Sequence, residues 1–262
     1  HLDNRNYEAA IEDFTHAIEI DPQNTAVLCA RGNALVKKCE YEKAIDDFNM
    51  VLELDPEEKS AWRGRGAANH LLERYHAAIA DLTRAIESDP RGADNPDYDY
   101  YVRGCSYFKV GRLENAIADY TTAIEIDPAY EWAYRRRAEA YEETGDYRAA
   151  VADKESAVAV NDQSESNWNG LAWLLATCPD ASVRDGRRAV EAATKACELT
   201  EWKDANVLDT LAAAYAEAGD FESAVRYQQQ SLDVGGDSID REDFESRLEL
   251  YRDARPYRIA AA

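Results

Sequence analysis

No apolar run in this chain approaches the roughly 18 residues that a bilayer-crossing helix needs; the longest candidate, LAWLLATC at 171–178, is short and lies mid-chain. No charged-then-apolar signal segment is read at the start either. Glycine and proline are scarce, at 12 and 7 among 262 residues, and methionine occurs once. Ala, Leu and Glu are plentiful instead, and that mixture favours helix over sheet. Cysteine is low and unpatterned: Cys29, Cys39, Cys105, Cys178 and Cys197 are odd in number and form no CxxC pair or Cys/His cluster. This argues against a disulfide framework and against zinc, and for free thiols in a reducing compartment, so a cytoplasmic protein is expected. His1, His16, His70 and His76 are scattered without ligand spacing, so no metal site and no cofactor is expected. Basic residues are outnumbered, with 30 Lys and Arg against 52 Asp and Glu, a net charge of −22. Such a surface repels phosphate backbones and acidic membranes, which argues against nucleic-acid binding and membrane insertion and favours basic protein segments. There is no GxSxG, phosphate-cradling glycine loop or HExxH, so the chain is read as non-enzymatic.

What the chain has is repetition. YEAAIEDFTHAIEIDP at 7–22 returns as YEKAIDDFNMVLELDP at 41–56, YHAAIADLTRAIESDP at 75–90 and LENAIADYTTAIEIDP at 113–128. Aligned on the Ala of each AI or AV pair, the columns run Ala10, Ala44, Ala78, Ala116, Ala150, Ala189 and Ala224. A column of small residues reads Gly32, Gly66, Gly104, Ala138, Ala172 and Ala212, with large residues such as Leu28, Trp62, Tyr100 and Tyr134 four positions earlier. Apolar and small positions within a unit recur at i, i+3, i+4 and i+7, which predicts two helices per unit. Small residues fall where the two helices cross and let the backbones approach. Asp-Pro ends the second helix, because proline cannot donate the next hydrogen bond. Gly111, Gly145 and Gly219 stand in the turns between helices, where Cys39 and Glu73 are less suited. Asp185 is placed to cap the helix after it.

A charge pattern runs through the same columns. Asp47, Asp81, Asp119 and Asp153 lie three residues after the marker Ala, and Arg31, Arg65, Arg103 and Arg137 precede the small residue by one. The last two units lose both members together. Within-unit pairs Arg31–Asp47, Arg65–Asp81, Arg103–Asp119 and Arg137–Asp153 are therefore expected as scaffolding.

The pattern W/L/Y-x2-[RL]-[GA]-x2-[YLN] followed by Y-x2-A-x3-F-x2-A-x4-P, over about residues 7–234, resembles the tetratricopeptide repeat family. The resemblance implies an all-α fold: a right-handed α-α superhelix, or solenoid, of antiparallel helix pairs with a C-terminal capping helix. The expected organisation is a repeat array at 1–234, followed by a capping helix and tail at 235–262. Within the array are a half repeat at 1–24 and repeats near 25–58, 59–92, 97–130, 131–164, 165–204 and 205–234. Lys154 departs from the pattern where Phe14 and Phe48 stand. The linker RGADNPDYDY at 91–100 is four residues longer than its counterparts, and REDFESRLELYRDARPYR at 241–258 reads as one helix. Phe244, Leu248 and Tyr251 are expected to cover the end of the array while its charges meet water. The last two repeats look like those of large bacterial multidomain proteins of this family.

The family resemblance places selected positions of each first helix on a concave groove. Arg63, Tyr98, Tyr101, Phe108, Trp132, Arg135 and Trp173 fall there, and aromatic residues and Arg are common interface anchors. The resulting expectation is a protein-interaction scaffold that binds a peptide or protein segment in the groove. The alternative is a self-assembly module of a larger protein, a homo-oligomer formed through the incomplete first repeat.

Overall fold

A computed structural model describes residues 4–88, 96–236 and 238–259. Fourteen helices and no strand occupy the described residues. Contacts divide the chain into two compact units, residues 1–128 and 129–262.

Unit one holds α1 (Asn4–Ile20), α2 (Thr25–Lys37), α3 (Tyr41–Leu54), α4 (Lys59–Leu71), α5 (Tyr75–Ser88), α6 (Pro96–Lys109) and α7 (Leu113–Ile126). α1, α3 and α7 each stop one residue before an Asp-Pro step. Residues 91–95 of the lengthened linker lie outside the described residues. The turn after α6 uses Gly111 at φ 74°, while Cys39 and Glu73 adopt the same left-handed backbone at φ 61° and 59° without glycine's freedom.

Packing explains the small-residue column. Phe48 is fully buried, wedged between two first helices. A Cβ on Gly32 would lie 2.8 Å from its ring, and one on Gly64 closer still. Gly66 stands in the same relation to Leu82, and Gly104 to Tyr120, each at 2.8 Å. Gly64→Ala is therefore expected to lower stability by up to about 2 kcal/mol net. Overpacking costs about 1–3 kcal/mol, and the gain of about 1 kcal/mol in helix propensity is set against it. Urea unfolding followed by circular dichroism measures the difference.

Unit two holds α8 (Glu131–Thr144), α9 (Tyr147–Val160), α10 (Glu165–Thr177), α11 (Gly186–Leu199), α12 (Ala205–Glu217), α13 (Phe221–Gly235) and α14 (Arg241–Arg252). Asp185 caps α11, accepting from the Arg188 N–H at 3.1 Å. The core here is alanine-rich: Ala172, Ala189, Ala193 and Ala212 pack with Leu175, Leu208 and Leu211. Phe244, Leu248 and Tyr251 of α14 are buried.

Two expectations for this end need correction. The last helix stops at Arg252 instead of running to 258. Ala254 turns left-handed at φ 55°, Pro256 cannot donate a helical hydrogen bond, and the chain continues without helix to 259. The charges of α14 also do not all meet water, since Arg247 is only 4% exposed. It lies on the same face as Phe244 and Tyr251, three and four residues away, as helical spacing requires.

Candidate functional site

Each Arg–Asp pair of the columns is joined by two contacts. Arg31 donates through Nε and Nη2 to the two oxygens of Asp47 at 2.8 and 2.6 Å. Arg65 does so with Asp81 at 2.9 and 2.8 Å, and Arg103 with Asp119 at 2.8 and 2.7 Å. In unit two Arg137 reaches both oxygens of Asp153 at 2.7 Å. Sequence reasoning missed a third contact. In unit one Nη1 of each Arg reaches back to the preceding helix pair: Arg31 to Thr15 Oγ1 at 3.2 Å, Arg65 to Asn49 Oδ1 at 2.6 Å, and Arg103 to Thr83 Oγ1 at 3.1 Å. The signal was present two residues after each Asp, but Thr and Asn share only an acceptor oxygen, so the column does not stand out by residue type. These arginines hold neighbouring pairs together, and their forked donors are used within the fold.

The groove candidates fare differently from one another. In unit one, Arg63 on α4 is occupied: its Nε donates to Asp99 Oδ2 of α6 at 2.9 Å. Asp99 is 1% exposed. Burial pushes its carboxyl above the usual range, with the Arg63 guanidinium opposing. Beside that pair, His70 Nδ1 lies 2.9 Å from Ser106 Oγ. Arg63 is thus a brace between first helices. Tyr101 is half-buried with its ring 6.1 Å from that of Tyr120, and Phe108 is half-buried too. Tyr98 stands out at 42% exposed.

In unit two, Trp132 on α8 is 50% exposed. The Arg135 guanidinium lies 4.8 Å from the centre of its ring, and Arg135 Nη2 donates to Ser166 Oγ of α10 at 2.9 Å. Next to them is a polar opening of about 220 Å³ lined by Arg135, Glu139, Lys154, Ser166, Asn169 and Gly170. Its origin is steric. Lys154 stands where unit one has Phe48, Leu82 and Tyr120, and the facing small residue is Ala138 instead of glycine. The approach distances at Gly32 and Gly104 show that an alanine Cβ and a ring cannot share this space. With no ring to fill it, the space is crossed by Lys154, whose Nζ reaches Glu142 at 2.9 Å and passes over Gly170. Buried Asn167, at the floor of the opening, donates to Ala157 O at 3.0 Å. Its Oδ1 and that of Asn169 have no hydrogen-bond partner.

Trp173 is not a free groove residue. The Tyr257 ring lies 5.8 Å from it, and the Arg247 guanidinium also lies 5.8 Å away. Arg247 Nε donates to Asp209 Oδ1 at 2.8 Å, and that oxygen also accepts from Gln228 Nε2 at 2.7 Å. The sequence reading singled out neither Asp209 nor Arg247.

Two of the buried cysteines are poor nucleophiles. Burial pushes the Cys197 thiol up to about 12 and the Cys29 thiol up to about 11. Among the described residues no helix is long and apolar enough to cross a membrane.

Stacked helix hairpins with small residues at each crossing, and with open side chains on the first helices, define a repeat protein of the interaction-scaffold class. The chain belongs to the tetratricopeptide repeat family. Models described as tetratricopeptide repeat match residues 1–56 and 31–99, and one described as TPR repeat matches 104–145. This family is generally a non-catalytic interaction domain whose members bind proteins or peptides. Among solved structures, MamA is similar at 27% identity and TM-score 0.55, over 60% of this chain and 90% of that one. PilF of Pseudomonas aeruginosa has 16% identity and TM-score 0.66, over 85% of this chain and 96% of that one. YrrB, described as a TPR protein with an unusual peptide-binding site, has 20% identity and TM-score 0.60, over 73% and 94% of the two chains. No curated protein sequence matches.

Proposed function

We propose that this chain is a non-enzymatic scaffold that binds an extended protein segment, and that in unit two the contact is made on α8 and α10. Trp132 acts as the apolar anchor, and the opening beside Arg135 and Lys154 receives a polar side chain of the partner. In unit one, exposed Tyr98, with Tyr101 and Phe108 on the same helix, offers a second anchor. One observation carries the reading: a half-exposed tryptophan is faced by an arginine that lines a polar opening, where the packing departs from that of the unit-one repeats. Local breaks in an otherwise consistent repeat are where function is expected, and Trp and Arg are the side chains that dominate interface energetics. YrrB's peptide-binding site belongs to YrrB; the shared fold supports the reading only at the level of architecture.

Selection of a displayed random-peptide library on the full chain tests this. Enriched peptides are expected to lose about 30-fold in affinity on Trp132→Ala, the size of an anchor residue's contribution. Unchanged affinity would remove Trp132 from the site. Self-association through α1 is the competing reading, since Ala10, Ile11 and Phe14 are only half-buried. A concentration-dependent oligomer in light scattering would favour it.

A further inference from the structure

The segment after α14 marks a second, differently built surface in unit two. From Arg255 to Ile259 the chain runs without helix past the ends of α10 and α12. Three consecutive residues make three kinds of contact. Tyr257 lies against Trp173, with its ring also 5.3 Å from the Arg247 guanidinium. Arg258 donates through Nε and Nη2 to Glu217 Oε2 at 3.2 and 3.1 Å. The Ile259 N–H donates to Thr177 O at 2.9 Å. Thr177 is the last residue of α10, and the final carbonyls of a helix have no partner inside it. Glu217 is itself held by Arg184, whose Nε donates to Oε1 at 3.0 Å. A fixed aromatic wall, an oriented carboxylate and an open carbonyl together recognise an aromatic residue, a basic residue and a main-chain N–H in sequence.

The segment is held by one half-buried ring and by polar contacts. Tyr257 packs against the core of unit two while Arg258 and Ile259 are exposed, and the pair of Arg258 with Glu217 leaves the Arg side chain 47% exposed, which limits its contribution. We propose that this surface is an exchangeable binding site for an extended partner segment that presents an aromatic residue, a basic residue and then a free main-chain N–H, occupied by residues 255–259 of the chain itself until such a partner displaces them. The proposal deepens the scaffold reading and rests on it, but it uses different residues. A second copy of this chain is a poor competitor. Its segment makes the same contacts, while the tethered one acts at an effective concentration of order mM. A longer partner gains an advantage by continuing along α10. Asn169 lies one turn from Trp173 and borders the polar opening, so both fall on one helix face.

The test uses the full chain and a fluorescein-labelled peptide of residues 253–259, DARPYRI, read by fluorescence anisotropy. Tyr257→Ala/Arg258→Ala, which keeps the segment but removes its anchors, is expected to bind the peptide at least about tenfold tighter than the unaltered chain, the tether no longer competing. Ile259→Pro, which removes the donated N–H and keeps both side-chain anchors, should move affinity the same way by a smaller factor. Adding Trp173→Ala to either variant should abolish binding. Equal or undetectable binding by the unaltered chain and a folded variant overturns the proposal. Loss of helical circular dichroism in both variants overturns it too, because the segment is then part of the core. A dimer of the unaltered chain cross-linked through Tyr257 would replace partner exchange by exchange between copies. Peptide binding at Trp173 together with an inert Trp132 would leave this site standing and remove the one on α8.

Discussion

Arg247→Met is expected to destabilise the chain by about 3–5 kcal/mol, the usual consequence of removing one partner from a buried ion pair. Arg247 is 4% exposed, and so is Asp209. The guanidinium also donates to Asp243 Oδ2 at 2.6 Å and lies 4.8 Å from the Phe244 ring centre. Methionine fills much of the same space, so the loss comes mainly from the charge left behind. Burial already pushes the Asp209 carboxyl above its usual range, and Arg247 is the main opposing influence. Without it the folded state favours the protonated acid more strongly. The sign follows from linkage: a carboxyl whose folded pKa lies above its unfolded value stabilises fully below the unfolded value, about 3.9, and that contribution is lost as pH rises through the folded pKa. Urea unfolding of Arg247→Met should therefore show a deficit that is small near pH 4 and grows towards pH 7. Adding Asp209→Asn should recover more than half of the loss at pH 7 and flatten the pH dependence. A deficit that does not change with pH, or no rescue, would show that packing of the Arg stem, not its charge, secures α14.

This pair was invisible in the sequence for a physical reason. Periodicity reveals what every repeat does, because a position that recurs from repeat to repeat meets a similar environment each time. Ala44, Ala78 and Ala116, the Asp-Pro stops, the Asp185 cap and the Arg–Asp columns all belong to that repeated environment and could be read directly. Arg247 and Asp209 are 38 residues apart and meet once, where the last helix closes the stack, so no column contains them. The end of α14 and the return of Tyr257 onto Trp173 are likewise singular. Arg63 illustrates a different limit. Its helix position was read from the pattern, but its occupancy depends on Asp99 of the next first helix, which recurs nowhere else. Lys154 lies between these cases. The departure was visible as a letter, whereas its consequence depended on how closely Gly32 and Gly104 approach the rings opposite them.

The second large effect is expected at Arg65 and Asp81. The carboxylate is buried and the Arg65 side chain is 20% exposed, so the range of about 3–5 kcal/mol for a buried pair is discounted for partial solvation, and each single substitution to Leu should cost about 2–4 kcal/mol. Asp81 also accepts from Asn69 Nδ2 at 3.0 Å, which leaves it one neutral donor when the arginine is lost. A double-mutant cycle should give a coupling of about 1–3 kcal/mol, in the range for groups in direct contact. Asn49→Ala is expected to be milder, at about 1.5–3 kcal/mol for a hydrogen bond to a charged group, and it isolates the contact that Arg65 makes with the preceding pair. The two changes should also differ in what comes apart. Arg65→Leu loosens α4 from α5 and from α3 at once, so hydrogen exchange should accelerate on both sides of α4. Asn49→Ala should loosen α3 from α4 while leaving the α4–α5 hairpin protected. A coupling near zero, or an exchange pattern confined to the surface turn of α4 and α5, would mean that these columns are solvated decoration and that the helix pairs are joined by apolar packing alone.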